Sequence, residues 1–467
     1  MRPEMYEYQY DWMIANSIRI IKRAMNNSEK ELEEMLKYMP YFRDSVSVLL
    51  GQGEVSKAFI RLIDTWTDLY FYNAEKIGYK RVMTTFIMNP VLFHAMKIAP
   101  LNCELITIFG NAFYLRGSFD FMDHCIAEGF TETSCSAQRA TLGAYLAGLA
   151  KPFDMVLINS TGTCDANANA FAFLANRLKK PLYAMDFPHR IPGEEESDYT
   201  LKDMKAMIAF VEHHTGRTVD YERLGELLTT VGKQEEMIVE IQELMRAVPC
   251  PVPALCNFML YVGHLIGMGL PEYTEMLRAI LEMGKRNLEA GRAGTASGKE
   301  RARIYAIYID HYCTKLDYWK WFDEMELSHL GGIPCATFYE DQPYLKGNEE
   351  MGWGVDTSSP EGMIRTVAEL GARQPMARSI RGPYDAPNQW LDETLTMMKH
   401  YRADCGIFAG TYGCRNTWSN NQSLAREVEK YGYPTLICTA DAIDERPQSW
   451  VQTQAQIEEF LTIRGIV

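Results

Sequence analysis

Three cysteines stand in short polar segments where a thiolate could bind a metal: Cys135 in TSCSAQR, Cys164 in TGTCDAN and Cys414 in TYGCRNT. Two of them occupy matching positions in two similar parts of the chain. Leu174 and Leu424, each followed by Ala, lie ten residues after Cys164 and Cys414 respectively. Each copy then continues through Lys-Pro or Tyr-Pro into an apolar run that ends at Asp. We interpret this repeated order as an internal duplication of a half-Rossmann unit.

Each matched cysteine also follows a strand-like run by a few residues, MVLINS at 155–160 and GIFAGT at 406–411. In an open parallel sheet, ligands bind beyond the carboxyl ends of the strands. Cys135 differs because it opens a helix, where free N–H groups and the helix dipole stabilise a thiolate. Cysteine also serves as a small buried hydrophobe. From the residues alone, two roles therefore stay open for each of the three cysteines: packing in the core and binding a metal.

The other cysteines are predicted to lie in the core or past a strand end. We predict a buried strand for CELITIF at 103–109 and a helix around Cys125. Cys313 follows the predicted strand IYAIYID at 304–310 and is the alternative ligand from the second half; its neighbour His311 is predicted to be structural. Four cysteines are assigned to packing: Cys103, Cys125, Cys405 and Cys438.

The composition indicates a multidomain protein without a nucleic-acid or membrane partner. At 467 residues and 53.4 kDa, the chain is longer than a single domain with one hydrophobic core usually is. Its net charge of −14, with no basic segment, argues against nucleic-acid binding. The start lacks a signal-peptide layout, and the apolar stretch at 252–270 is interrupted by Asn257 and His264, which favours a buried helix. We therefore expect a cytoplasmic location, where the eleven cysteines are thiols or metal ligands.

The predicted fold is α/β, with two Rossmann-like (flavodoxin-like) lobes that each contain a mostly parallel sheet. Strand ends of the two lobes would face each other across a cleft that contains the three cysteines. The predicted boundaries are 1–76 for an N-terminal helical segment, 77–218 for the first lobe, 219–300 for a helical bridge and linker, and 301–467 for the second lobe.

Several common motifs are missing, and their absence narrows the chemistry. The sequence has no G-x-x-x-x-G-K-[ST] loop for ATP and no G-x-G-x-x-G fingerprint for a dinucleotide. It has no C-x-x-C pair, which counts against a zinc ribbon and a ferredoxin-type domain. Three thiolates from separate segments would leave one corner of a four-iron cluster free for substrate. Soft sulfur ligation favours iron, although zinc with three thiolates and a water also fits.

The ordered set of segments resembles the subunits of 2-hydroxyacyl-CoA dehydratases and the related ATP-dependent benzoyl-CoA reductases. The segments are TSCSAQRATLGAYLAG, LINSTGTCD with PLYAMDFP, and ADCGIFAGTYGCR with YPTLICTADAIDERPQSW. The resemblance runs from about Met88 to the end of the sequence. It implies a [4Fe-4S] cluster between two lobes, bound by Cys135, Cys164 and Cys414.

The same resemblance implies an enzyme subunit, a lyase component of anaerobic metabolism, that works with partners. These are an acyl-CoA substrate, a homologous second subunit in a hetero- or homodimer, and a separate ATP-hydrolysing iron–sulfur activator. The implied reaction is a radical one, in which one-electron reduction of the thioester precedes elimination of water. The catalytic acid and base are left unassigned.

Two alternative functions stay open, one within the same family and one of a different class. The chain could be a subunit of an ATP-dependent benzoyl-CoA reductase or of a double-cubane-type reductase. It could also be a non-catalytic iron–sulfur carrier, which stores a cluster without acting on an acyl-CoA.

Overall fold

The computed structural model describes residues 9–25, 47–74, 76–86, 88–113, 118–159, 164–186, 199–308, 316–332, 355–374, 388–441 and 443–467.

Two helices begin the described chain and pack on the first α/β unit: α1 (Gln9–Met25) and α2 (Glu54–Thr67), the latter continued by a π-helical turn (Asp68–Asn73). Apolar residues recur along α2 at helical spacing and bury one face of it. At its end, the ring of Trp66 stacks on Phe109 with 5.1 Å between the ring centroids. Aromatic packing thus attaches the N-terminal helices to the first lobe.

The first sheet has four parallel strands in the order β2-β1-β3-β4. Every residue of β3 is buried, as expected for a central strand covered on both faces. The strands are β1 (Lys80–Thr84), β2 (Ile98–Asn102), β3 (Met155–Asn159) and β4 (Leu182–Met185). The helices between them in the chain are α3 (Val91–Ala95), α4 (Cys103–Phe113), α5 (Phe119–Ala127), α6 (Ser136–Leu146) and α7 (Asp165–Arg177).

The strand predicted at 103–109 is wrong, because these residues form the first two turns of α4. A continuous apolar run has no periodicity that separates a buried helix from a buried strand. The local chemistry favours the helix, since the Asn102 side chain accepts a hydrogen bond from the backbone N–H of Glu104 at 2.9 Å. The strand itself is β2, which ends just before Cys103. It tolerates Pro100 because it lies at the sheet edge.

In the described part of the connection between the two sheets, residues 199–301, there are four helices: α8 (Tyr199–Thr215), α9 (Tyr221–Met245), α10 (Leu255–Gly267) and α11 (Pro271–Glu289). The apolar stretch predicted to be a buried helix is α10, and all of its residues except His264 are buried. Within the part of the chain that the structure describes, no helix is both long and apolar enough to cross a membrane.

The second sheet repeats the first, with four parallel strands in the order β6-β5-β7-β8. Its strands are β5 (Ala302–Ile307), β6 (Leu327–Gly332), β7 (Cys405–Thr411) and β8 (Thr435–Ala440). Its helices are α12 (Leu316–Glu324), α13 (Pro360–Arg373), α14 (Gln389–His400), α15 (Arg415–Lys430) and α16 (Trp450–Ile463). The predicted α/β class with two mostly parallel sheets is confirmed.

Matching hydrogen bonds in the two sheets support the inferred duplication. In the first sheet, Arg81 donates its backbone N–H to the Asp154 side chain at 2.8 Å and accepts the backbone N–H of Asp154 at 2.8 Å. In the second, Arg303 and Asp404 make the same two bonds, at 2.8 and 2.9 Å. Each pair joins the strand that comes first in the chain, β1 or β5, to the residue just before the strand that comes third, β3 or β7. The two lobes therefore share local geometry as well as strand order.

Candidate functional site

Each of the three predicted ligands is the residue that immediately precedes a helix. Cys135, Cys164 and Cys414 are the N-cap residues of α6, α7 and α15. They are also the only partly accessible cysteines among the nine that the structure describes; the other six are buried. Helix N-termini present unpaired backbone N–H groups and a partial positive charge, which suit a negatively charged ligand such as a thiolate.

The two lobes touch at the cysteines themselves. Gly413, which precedes Cys414, lies so close to Cys135 that a Cβ atom on it would be 2.5 Å from both the Cα and the backbone nitrogen of Cys135. Carbon and nitrogen atoms that are not bonded do not approach so closely, so only glycine fits without a shift of the backbone. The loop that carries the second-lobe cysteine is thereby placed against a first-lobe cysteine.

Polar contacts across the same junction fix the helices that the cysteines precede. The Ser136 hydroxyl, in the first turn of α6, donates to the Asp441 carboxylate just after β8. Both side chains are buried. Asp441 also accepts the backbone N–H groups of Ile443 and Asp444 at 3.0 and 2.9 Å. Because a buried carboxylate needs such partners, this contact fixes α6 against the end of β8.

An ion-pair network extends the junction on one side. Arg139 of α6 lies 3.7 Å from the Asp444 carboxylate, and Arg446 binds the same carboxylate at 2.7 Å. Arg446 also contacts Asp123 of α5 at 2.5 Å. Arg139 and Asp444 are both nearly buried, so this pair is less screened by solvent than an exposed one. The network joins α5 and α6 of the first lobe to the segment after β8.

A second ion pair joins the two duplicated units directly. Arg415, which follows Cys414, contacts the carboxylate of Asp165, which follows Cys164. The arginine side chain is largely exposed, so the pair contributes little to stability. It nevertheless shows that α7 and α15 start side by side.

The sulfur atoms of Cys135 and Cys164 are desolvated even though each residue is partly accessible, and this desolvation opposes the expected effect of the helix ends. Burial raises the pKa of the Cys135 thiol to about 12, with smaller contributions from Cys414 and Asp441. Burial likewise raises the pKa of Cys164 well above its ordinary value, although the backbone N–H of Asn167 acts in the opposite direction. The expected stabilisation of the thiolate by the helix is therefore outweighed by desolvation. A bound cation reverses this balance, because a metal deprotonates the thiols that coordinate it.

A carboxylic acid that the sequence analysis missed lies beside the cysteines. Burial raises the pKa of Glu104 to about 7, while the Tyr261 hydroxyl and the Gln138 amide lower it by donating hydrogen bonds. The Tyr261 oxygen lies 3.1 Å from the carboxylate. Glu104 also interacts electrostatically with both Cys135 and Cys164. The only sequence signal was a charged residue within the apolar run CELITIF.

Cys103 occupies a different position from the one predicted. It is the first residue of α4, not part of a strand, and it is fully buried. The Asn167 side chain donates to its sulfur at 3.6 Å, and its pKa is raised well above the ordinary value by burial and then by Glu104. Cys103 therefore packs as predicted but lies next to the candidate site.

The remaining predicted positions fall into two groups. Cys125 in α5, Cys405 in β7 and Cys438 in β8 are buried in the elements and the packing roles predicted for them. Cys313 and His311 lie outside the described residues. Among the described residues, no group of three or more His, Cys, Asp or Glu side chains is close enough to bind a single metal ion.

The fold and the junction define a class of protein: a duplicated parallel α/β chain with partly accessible cysteine residues at helix N-termini between its two lobes. The chain belongs to the family described as 2-hydroxyglutaryl-CoA dehydratase, D-component, which it matches over residues 86–463. No curated protein matches the sequence.

Replacing Gly413 by Ala should separate the lobes at the cysteines. The new Cβ would meet backbone atoms of Cys135, which cannot rotate away, so we expect a loss of about 2–3 kcal/mol in the free energy of unfolding of the apoprotein. Urea denaturation measures this loss. The matched control is Gly225→Ala in α9, where the Cβ would meet only the flexible Met363 methyl group at 3.3 Å. Equal stability of the two variants would contradict the close contact.

Glu104 should make stability depend on pH. Its folded-state pKa of about 7 exceeds the ordinary 4.5, so its contribution is present below about pH 4.5 and is lost as pH rises through about 7. The apoprotein should lose about 2 kcal/mol relative to Glu104→Gln between pH 5 and 8, as measured by urea denaturation at each pH. In Tyr261→Phe, which lacks one donor to the carboxylate, the loss should shift to higher pH. A pH-independent difference between wild type and Glu104→Gln would show that the carboxyl is solvated.

Proposed function

We propose that this chain is the iron–sulfur subunit of a radical 2-hydroxyacyl-CoA dehydratase and that Cys135, Cys164 and Cys414 bind a [4Fe-4S] cluster. The observation that carries the proposal is the meeting of three cysteine-capped helix N-termini at one inter-lobe junction. Family membership favours a dehydratase over the reductase and carrier alternatives.

The donor set fits an iron–sulfur cluster better than a single ion. The three side chains are thiols, and soft sulfur ligands favour zinc or iron–sulfur clusters. The described residues contain no group compact enough for one ion. Family membership favours a cluster over a single ion, because three thiols from separate segments match the ligand set that the resemblance implies. Cys135, Cys164 and Cys414 would hold three of the four irons, and the fourth would take a ligand from outside this set of thiols.

The residues around the thiols suit chemistry that needs both an electron and a proton. When bound, a low-potential cluster supplies one electron at a time to the thioester. Elimination of water also requires a proton for the departing hydroxyl group. Glu104, with a pKa raised to about 7, can exchange a proton near neutral pH, and the Tyr261 hydroxyl bond holds its carboxyl group in place. We assign Glu104 this role.

Partners complete the proposed activity. The family name specifies a D-component, which supports a second component in the assembly. The chain has no ATP-binding loop, so a separate ATP-hydrolysing activator would supply the electron, and a homologous subunit would complete the dehydratase. The nine described cysteines are all free, which supports the proposed cytoplasmic location.

Single replacements of the three cysteines by Ala test the proposal. Anaerobically purified wild type should carry about four irons with matching sulfide per chain. Each of Cys135→Ala, Cys164→Ala and Cys414→Ala should lose most of that iron, because each removes one coordination bond. Iron and sulfide analysis, with visible absorption spectra, measures the loss.

Two buried strand cysteines give the matched controls. Cys405→Ala and Cys438→Ala remove a thiol of the same size from the second lobe, so they should keep full iron at a cost of about 1–3 kcal/mol in stability. Cys103→Ala is unsuitable as a control, because its sulfur lies against Asn167 at the candidate site. Full iron in all three primary variants would end the proposal.

A further inference from the structure

Two buried amides stand at the same place in two helices of the site. Gln138 lies three residues after Cys135 in α6, and Asn167 lies three residues after Cys164 in α7. The two residues are 2% and 0% exposed. The carbonyl oxygen of each, Oε1 of Gln138 and Oδ1 of Asn167, has no hydrogen-bond partner among the described residues.

Neighbouring acceptors fix which way each amide points. The Gln138 amide donates to the Glu104 carboxylate, so its nitrogen faces that group and its oxygen faces away. The Asn167 nitrogen donates to the Cys103 sulfur at 3.6 Å, which leaves its oxygen free. Both amides lie in the first turn of a helix that a candidate ligand caps, and the Gln138 backbone N–H donates to the Cys135 carbonyl at 3.1 Å, so both belong to the site.

A buried amide away from the cysteines shows how such a side chain is satisfied by the protein itself. Gln234, also fully buried, accepts the backbone N–H of Gly269 at 2.7 Å and donates to the carbonyl of Leu270 at 2.9 Å. Thr417, at the matching third position after Cys414, has both of its hydrogen-bonding roles filled. A buried carbonyl oxygen without a donor is costly, so the two unpaired oxygens point to a ligand that supplies donors.

The chemistry of these oxygens limits what the ligand can be. A carbonyl oxygen only accepts, so the bound group must carry a hydrogen-bond donor. A thioester carbonyl cannot serve, because it too only accepts. An ammonium group also donates, but the acyl chains of the proposed 2-hydroxyacyl-CoA ligands carry none. A neutral hydroxyl group satisfies the requirement.

We propose that Gln138 and Asn167 are the hydrogen-bond acceptors that recognise the hydroxyl group of an acyl chain bound beside the three cysteines. They would determine specificity, since a site with buried acceptors rejects an otherwise identical ligand that lacks the hydroxyl. This inference rests on the proposed function, in which the ligand is a 2-hydroxyacyl-CoA.

The test compares the binding of matched ligand pairs by isothermal titration calorimetry. The probes are racemic lactyl-, 2-hydroxybutyryl- and 2-hydroxyglutaryl-CoA, each paired with propionyl-, butyryl- or glutaryl-CoA. The protein is the anaerobically purified chain with any subunit that copurifies. For at least one pair, wild type should bind the hydroxylated member at least about tenfold more tightly. Gln138→Met and Asn167→Leu should each reduce this preference about fivefold or more, while the affinity for the deoxy ligand changes less than about twofold.

Two further variants separate recognition from structure. Gln234→Met removes a buried amide away from the cysteines and should keep the full preference. Gln138→Glu retains an acceptor oxygen and, measured below about pH 7 where its carboxyl group can share a proton with Glu104, should also keep the preference for the hydroxylated ligand, whereas Gln138→Met should not. Each affinity is measured on protein whose iron content equals that of wild type.

The outcomes distinguish this inference from the proposed function. Binding of no acyl-CoA by wild type would refute both. Wild type that binds acyl-CoA without preferring the hydroxylated member refutes the inference alone. Full preference in both Gln138→Met and Asn167→Leu refutes it as well.

Discussion

The contact between Gly413 and the backbone of Cys135 is the constraint on which the site depends. It requires a residue without a Cβ atom, and it places the loop before α15 directly against the start of α6. The buried hydrogen bond from Ser136 to Asp441 then fixes the rotation of α6 against the end of β8. Without this junction, Cys414 of the second lobe would not lie beside Cys135 and Cys164 of the first lobe, and the three thiols would not share a site.

At the junction, the burial of the thiols and the neighbouring helix N-termini favour opposite charge states of the sulfur atoms. Buried thiols favour the protonated form, as the pKa of Cys135 near 12 shows, while the adjoining helix N-termini favour an anion. The proposed cluster would resolve the conflict, because bound iron ions would hold the sulfurs as thiolates within a low-dielectric site. Glu104, with its pKa raised to about 7, shows that the same environment retains protons on a carboxylate. With the proposed cluster bound, such a site would hold an electron donor next to a group that exchanges protons.

The sequence predicted the parts of this arrangement that repeat. Matching offsets after Cys164 and Cys414 identified α7 and α15, and the equal strand order of both sheets agrees with the inferred duplication. The apolar run at 103–109 was assigned to a strand, because uniform hydrophobicity carries no period. The contact of Gly413 with Cys135 and the burial of Glu104 depend on distant segments that pack together. No local pattern in the chain encodes either of them.

Iron-57 Mössbauer spectroscopy of the anaerobically purified protein tests the central claim most directly. Three cysteine ligands on a four-iron cluster predict one iron site that differs from the other three, since its fourth ligand is not a protein sulfur. The spectrum should therefore resolve into two components in a ratio of about three to one, and addition of an acyl-CoA should change the smaller component. Four equivalent sulfur-ligated irons, or protein that binds a single zinc ion and no iron, would contradict the account.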